Sequence, residues 1–259
     1  MSPSGYALIT GASSGIGECF ARALAARKRN LVLVARSKDK LLALAEELRD
    51  KHGIETVAPD FDLSVPGAPA ALVEALRTER LSVELLINNA GFGGRGEFWT
   101  LPLDRQSEML RLNVLGVVEL THLLLPAMIE HRSGAVINVS STASFQPVAY
   151  TSTYAATKAF VTSFSMAIAE EVRPYGIKVV TLCPGGTRTN FFSVGEYRRG
   201  SSLPGGLQAP EAVVAEALKA LDRQGGLVVP RFLNKISVFF QRFIPRSAVA
   251  KIAARLFRP

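Results

Sequence analysis

Tyr154 and Lys158 stand four residues apart, with Ser141 thirteen residues before the tyrosine. If residues 151–175 form a helix, its period places Tyr154 and Lys158 on one face. A phenol ordinarily loses its proton near pH ~10. An ammonium ~4 Å away, at an effective dielectric of ~20, favours the phenolate by about 4 kcal/mol. At ~1.36 kcal/mol per pKa unit, the pair predicts a Tyr154 pKa near neutrality, where general acid–base transfer works best. Ser141 ends an apolar β-type run over residues 135–139 and adds a hydroxyl donor for the same reacting oxygen. A Tyr and a Lys at this spacing also occur by chance, so the chemistry depends on what surrounds them.

The surroundings alternate regularly. Residues 6–10 read as an apolar strand, followed at once by Gly11, Gly15 and Gly17 and by helical periodicity over 18–28. Strand, glycine turn and helix N-terminus make an anion cradle, because unpaired backbone N–H groups and the helix dipole favour phosphate. Tight strand–helix turns without ligands use glycine as well. Residues 31–35 form a second strand, apolar throughout and so covered on both faces. Further strands are expected at 54–58, from 85, at 134–140, 177–183 and 227–229, with helices at 40–51, 68–79, 108–131 (bent by Pro126), 151–175 and 210–222. Such alternation predicts a single α/β domain over 1–259 with a parallel sheet and helices on both faces. Ligands then lie beyond the carboxyl ends of the strands. The glycine turn, Arg36, Asn88 to Gly91 and Ser141 all fall at such ends.

After the second strand come Arg36, Ser37, Lys38 and Lys40, with no acid before Asp39. An arginine here accommodates a 2′-phosphate, whereas an acid holds the free ribose hydroxyl. The pattern therefore favours NADP over NAD, the plain alternative being a solvated basic turn. In the run from Asp60 to Leu63 a carboxylate, Asp62, could reach an adenine amino group.

The 259 residues, 48% hydrophobic, suffice for a large core. No uninterrupted apolar run reaches the ~20 residues that span a bilayer, and the first residues do not read as a secretion signal. Cys19 and Cys183 read as free thiols in a reducing compartment, so a cytoplasmic location is expected. His52, His122 and His131 lie at no metal-ligand spacing, and no metal is expected. The net charge of +8 is uneven: residues 223–259 hold eight basic and no acidic residues. Removing these eight from the 30 basic residues leaves 22, matched by 22 acidic, which argues against a nucleic-acid surface.

In sum these residues resemble the short-chain dehydrogenases/reductases. The resemblance rests on Thr10 to Gly17 (TGASSGIG), Asn88 to Gly91 (NNAG), Asn113, Ser141, Tyr154-x-x-x-Lys158, and Pro184-Gly185 with Thr189, and covers residues 5 to about 230. Within the family the chain looks closest to bacterial members related to hydroxysteroid and 3-ketoacyl reductases. The resemblance implies a doubly wound Rossmann sheet of seven strands binding NADP(H), and reduction of a carbonyl or the reverse. Tyr154 would be the acid/base, Ser141 would hold the substrate oxygen, and Lys158 would hold the nicotinamide ribose and lower the Tyr154 pKa. Asn113 would anchor a water that relays protons. Gly11, Ser13, Ser14, Gly15, Ile16 and Gly17 would surround the diphosphate, and Asn89, Ala90 and Gly91 the adenosine side. Pro184, Gly185, Thr187 and Thr189 would meet the nicotinamide; Thr187 stands where the family more often has Val or Ile. A catalytically silent nucleotide-binding scaffold is the competing reading, and the intact Ser–Tyr–Lys–Asn set speaks against it. A homodimer or homotetramer is implied, paired through the helices around Asn113 and Tyr154.

Phe92, Phe145, Phe191, Phe192 and, as a further candidate, Trp99 suggest a hydrophobic carbonyl or alcohol substrate, although the same aromatics could be core. Residues 190–210 read as an apolar substrate loop. The basic extension 231–259 forms two amphipathic helices separated at Pro245, with Ile236, Phe239, Phe240 and Phe243 striping the first, and Val249, Ile252, Ala253 and Leu256 the second. Packing of these stripes on the pocket or on a sister subunit is favoured over contact with an anionic membrane.

Overall fold

The computed structural model describes residues 5–189, 191 and 206–258. Among them, seven parallel strands form one sheet: β1 (Tyr6–Thr10), β2 (Asn30–Val34), β3 (Thr56–Val57), β4 (Val83–Asn88), β5 (Ala135–Val139), β6 (Lys178–Leu182) and β7 (Gly226–Val228). Their order is β3-β2-β1-β4-β5-β6-β7, so the chain winds outward from β1, then returns to build the other half from β4. That reversal opens a crevice at the carboxyl ends of β1 and β4.

Helices cover both faces. One face carries α1 (Gly15–Ala26), α2 (Lys38–His52) and α7 (Pro210–Asp222); the other carries α3 (Ala68–Thr78), α5 (Gly116–Glu130) and α6 (Ser152–Val172). Successive strand residues enter opposite cores: Ala7 and Ile9 meet Phe20, Leu41 and Val213, while Tyr6 and Leu8 meet Leu72, Leu120 and Val172. Two-sided burial is why β1 and β2 read as unbroken apolar runs. The strand expected at 54–58 shrinks to Thr56–Val57 because Ile54 turns into the α1/α2 core before the ladder begins.

The helix expected at 108–131 begins five residues earlier. α4 (Leu103–Leu110) runs through a π turn, Arg111–Leu115, straight into α5. The resulting helix, Leu103–Glu130, is 28 residues long with a window of mean hydropathy 1.7, long and apolar enough by length and composition to cross a membrane. Here Leu120, Leu124 and Met128 enter the core beneath the sheet, and 44% of that window is buried in the fold.

Two helices follow β7, α8 (Phe232–Gln241) and α9 (Arg246–Phe257), parted at Pro245 as the sequence suggests. α9 packs only in part: Val249 and Ala253 are buried, Ala253 joined to Val148 and Ala155, whereas Ile252 and Leu256 of the same stripe are exposed. The α8 stripe does not pack. Ile236, Phe239, Phe240 and Phe243 are exposed, and Val238 is its buried residue, set against Cys183 and Val229. The orientation is set by Val238 and Asn234: a Cβ on Gly185 would meet Asn234 Nδ2 at 2.6 Å, and that amide donates to Pro230 O at 2.9 Å.

Candidate active site

The strand ends converge on a cleft of about 490 Å³. Its floor is the turn between β1 and α1. Gly11 adopts φ 67° and Gly15 φ 59°, the left-handed region where an L side chain is strained. Asn89 latches this turn: its Nδ2 donates to Thr10 O at 2.9 Å and Gly11 O at 3.3 Å, while Thr10 Oγ1 accepts from the backbone N–H groups of Asn89 and Ala90, each at 2.9 Å. Ser14, at the N-cap of α1, makes no capping hydrogen bond with its side chain. The first N–H groups of α1 are thus left for an anion. Gly11, Ser13, Ser14, Gly15 and Ile16 border the cleft, but Gly17 does not. Gly17 instead lets α1 press on the turn, since a Cβ there would strike Gly11 O and approach Asn89 Nδ2 to 2.6 Å.

Beyond β2, Arg36 reaches Glu108 at 3.1 Å and Asp62 at 3.8 Å, and Ser37 and Lys40 share the same wall. Burial raises the Asp62 carboxyl, but hydrogen bonds from the Ser64 hydroxyl and N–H, with the Arg36 charge, hold it below the usual carboxylate range. Asn89, Ala90 and Gly91 line the middle of the cleft, and Pro184, Gly185, Thr187 and Thr189 its far side.

Tyr154, Lys158 and Ser141 border the same space. Ser140, the residue before Ser141, ties β5 to α6 by donating to Lys158 O at 2.8 Å. The Lys158 ammonium donates to Val139 O at 2.8 Å and lies 5.9 Å from the Tyr154 ring centre. The expectation of a near-neutral phenol is overturned. Burial pushes the Tyr154 phenol up to about 12, and the Ser141 hydroxyl beside it lowers it by less. Burial also brings the Lys158 ammonium down to about 8. Desolvation disfavours both charged forms, and the ammonium, although it lies over the Tyr154 ring, is bonded to a backbone carbonyl.

Asn113 is fully buried in the π turn and does not border the cleft. Its Nδ2 donates to Phe92 O at 3.0 Å and Thr157 Oγ1 at 3.1 Å, and its Oδ1 accepts from Phe92 N at 3.2 Å. These bonds occupy the amide hydrogens, so the side chain cannot also donate to a relay water. A Cβ on Gly91 would crowd Asn113 Oδ1 at 2.8 Å while making only ordinary contact with Lys158 Nζ at 3.5 Å, so glycine there makes room for the Asn113 side chain.

The aromatic expectations divide. Phe92 and Phe191 line the cleft, Phe191 with its ring centre 5.3 Å from that of Tyr154. Phe145 does not border the cleft; it is partly buried, packed on Cys183, Val229 and Val238. Trp99, on a short turn at Phe98–Thr100, is 77% exposed and away from the cleft. Phe192 and most of the expected loop 190–210 lie outside the described residues. Sequence reasoning missed Gln146, Val148 and Thr151 from the loop before α6, and Phe257 from α9. Arg95 holds that last residue in place, donating to Phe257 O at 2.9 Å and Arg258 O at 2.5 Å. The only available signal was Phe257 following the α9 stripe.

Residues 5–196 match the short chain dehydrogenase family. A very-long-chain 3-oxoacyl-CoA reductase of Aspergillus clavatus is 34% identical over 225 residues, which cover 85% of this chain and 63% of that protein. The chain thus spans less than two thirds of that relative's length. A short-chain dehydrogenase of Sphingobium yanoikuyae, solved in complex with NADPH, is 33% identical with a TM-score of 0.82, covering 94% of this chain and 97% of the other. The bulky-bulky ketone specific alcohol dehydrogenase of Comamonas testosteroni is 30% identical with a TM-score of 0.79, covering 95% and 97%.

Proposed function

The chain belongs to the short-chain dehydrogenase family, and on that premise we propose that it is an NADP-dependent oxidoreductase that interconverts a bulky, hydrophobic ketone and its alcohol. One observation carries the reading: a helix N-terminus and the basic side chains of Arg36 and Lys40 border one side of a single cleft, and Ser141, Tyr154 and Lys158 the other. From β2 to β5 is three strand steps, about 14 Å at ~4.8 Å each, a span suited to a dinucleotide. The uncapped N–H groups of α1 suit its diphosphate, and Arg36 with Lys40 a 2′-phosphate. The relative solved with NADPH supports the same choice.

Bound NADPH would supply the hydride. Ser141 and Tyr154 would hold the substrate oxygen, and Tyr154, with its phenol near 12, keeps the proton that a newly formed alkoxide requires. Lys158, anchored on Val139 O, would hold ribose hydroxyls beside the phenol. Asn113 would act as a positioning residue, fixing Phe92 and Thr157 beside the site. Phe92, Val148, Phe191 and Phe257 make the substrate side apolar and keep water from the reacting carbon. Leu110, Leu115, Phe160 and Met166, exposed on α4 to α6, support a homodimer or homotetramer.

The test is NADPH oxidation across a panel of ketones graded in bulk, with wild type and Tyr154→Phe. Turnover should favour bulky apolar ketones, and the Phe variant should lose about 10²–10⁴-fold while binding NADPH within a few-fold. No oxidation of any ketone, or a Phe variant retaining a tenth of the activity, would sink the assignment.

A further inference from the structure

α8 presents its apolar residues to solvent. Phe232, Ile236, Phe239 and Phe243 recur at i, i+4, i+7 and i+11, one line along the helix and the turn after it. Phe232 is 73% exposed and Phe243 71% exposed; Phe239 and Phe240 are each more than half exposed. Val238, on the opposite side, is the residue that meets the fold. The outward rings touch one another, Phe239 lying 5.4 Å from Phe243 and 5.6 Å from Phe240 between ring centres. A helix docked through Val238 and Asn234 has no packing reason to carry a phenylalanine ridge outward, and a contiguous exposed apolar patch of this kind marks an interaction surface.

The charge carried by α8 and α9 selects the occupant. Lys235 on α8 and Arg242 at its end are exposed, as are Arg246, Lys251 and Arg255 on α9 and Arg258 at its end. No acidic residue occurs in 223–259; the neighbouring carboxylate is Glu216 of α7, 3.7 Å from Lys235. A second copy placed on the same face would bring two like-charged sets together. A surface of anionic phospholipid accepts both features, rings below the headgroups and cations among them. We infer that α8 and α9 form a membrane-surface anchor that lies on anionic lipid with the Phe232–Phe243 ridge buried.

The placement bears on the cleft. α9 ends in Phe257 at the cleft wall, and Asn234 of α8 abuts Gly185, which also lines the cleft. A bilayer engaged by this face lies beside the apolar half of the cleft, so a lipid-dissolved ketone reaches it without crossing water. Lipid attachment itself does not depend on the proposed substrate.

The experiment is co-sedimentation of the full chain with phosphatidylcholine vesicles, with and without phosphatidylglycerol, beside sedimentation velocity without lipid. The expected result is binding to the anionic vesicles at physiological salt and release at high salt. Phe239→Ser/Phe243→Ser should abolish it. Arg242→Gln/Arg246→Gln/Lys251→Gln should weaken partitioning about a hundredfold, at roughly fivefold per basic residue. Both variants should keep their circular dichroism and NADPH binding, since these side chains face solvent. Absence of binding, equal binding to neutral vesicles, or binding unchanged in the Phe variant would overturn the inference. A dimer that the Phe variant converts to monomer, without vesicle binding, would assign the ridge to a second copy instead.

Discussion

At the residue scale, a helical Tyr–Lys spacing predicts proximity, whereas the protonation of each group follows from burial. Unfolded lysine holds its proton to about 10.5, but folded Lys158 releases it near 8. Between those values the unfolded chain binds more protons, so the Lys158 contribution makes stability rise with pH. Tyr154 has the opposite sign: its folded phenol keeps the proton to about 12 against 10 unfolded, a contribution present below pH 10 and lost as pH climbs toward 12. From pH 7.5 to 9 linkage assigns Lys158 a contribution of about +1 kcal/mol to unfolding free energy, opposed by the Cys19 and Cys183 thiols, which burial pushes up. Urea titrations should show wild type changing by about 1 kcal/mol more favourably over this range than Lys158→Met. An equal slope in both would mean that Lys158 is not desolvated as the structure indicates. Arg36 offers a second residue-level check. Arg36→Ala should weaken NADPH binding about ten- to a hundredfold, since a charge-assisted bond contributes about 1.5–3 kcal/mol, and leave NADH binding nearly unchanged. Calorimetry showing equal losses for both nucleotides would reject the 2′-phosphate role.

At the element scale, the site depends on how closely α1 presses on the β1 turn. Gly17 lies inside a helix, where alanine is ordinarily better by about 1 kcal/mol. Here a Cβ would collide with Gly11 O and crowd Asn89 Nδ2, the amide that latches the turn. Gly17→Ala should therefore destabilise the protein by about 1–3 kcal/mol, read as a lower urea midpoint together with weaker NADPH binding. A raised midpoint would show that the turn yields freely. The π turn at Arg111–Leu115 is a second case of geometry serving the site, because it places Asn113 where its amide bonds both the Phe92 backbone and α6. Such turns tend to occur at functional positions.

At the scale of the whole molecule, the tail completes the cleft. Arg95 fastens the carbonyls of Phe257 and Arg258, joining the loop after β4 to the end of α9. Arg95→Ala should free Phe257 from the apolar wall and raise KM for a bulky ketone about tenfold, the worth of one charge-assisted hydrogen bond. KM for NADPH should hold steady, because the nucleotide side of the cleft is built from other elements. Steady-state kinetics giving equal increases in both KM values, or in neither, would remove Phe257 from the substrate wall.

The strand–helix alternation, the glycine cradle, the basic residues after β2 and the shared face of Tyr154 and Lys158 were all legible in the sequence, because each rests on local periodicity or backbone freedom within a few residues. Folding alone decided that Phe145 packs against Cys183 and Val229 while Phe257, over a hundred residues later, lines the cleft, and that Trp99 faces solvent. It also set the direction of the Tyr154 shift, the bonds of Asn113 and the outward turn of the α8 ridge. These properties depend on which distant elements cover a side chain: desolvation scales with surrounding protein, and an amphipathic stripe specifies a face without specifying what that face meets.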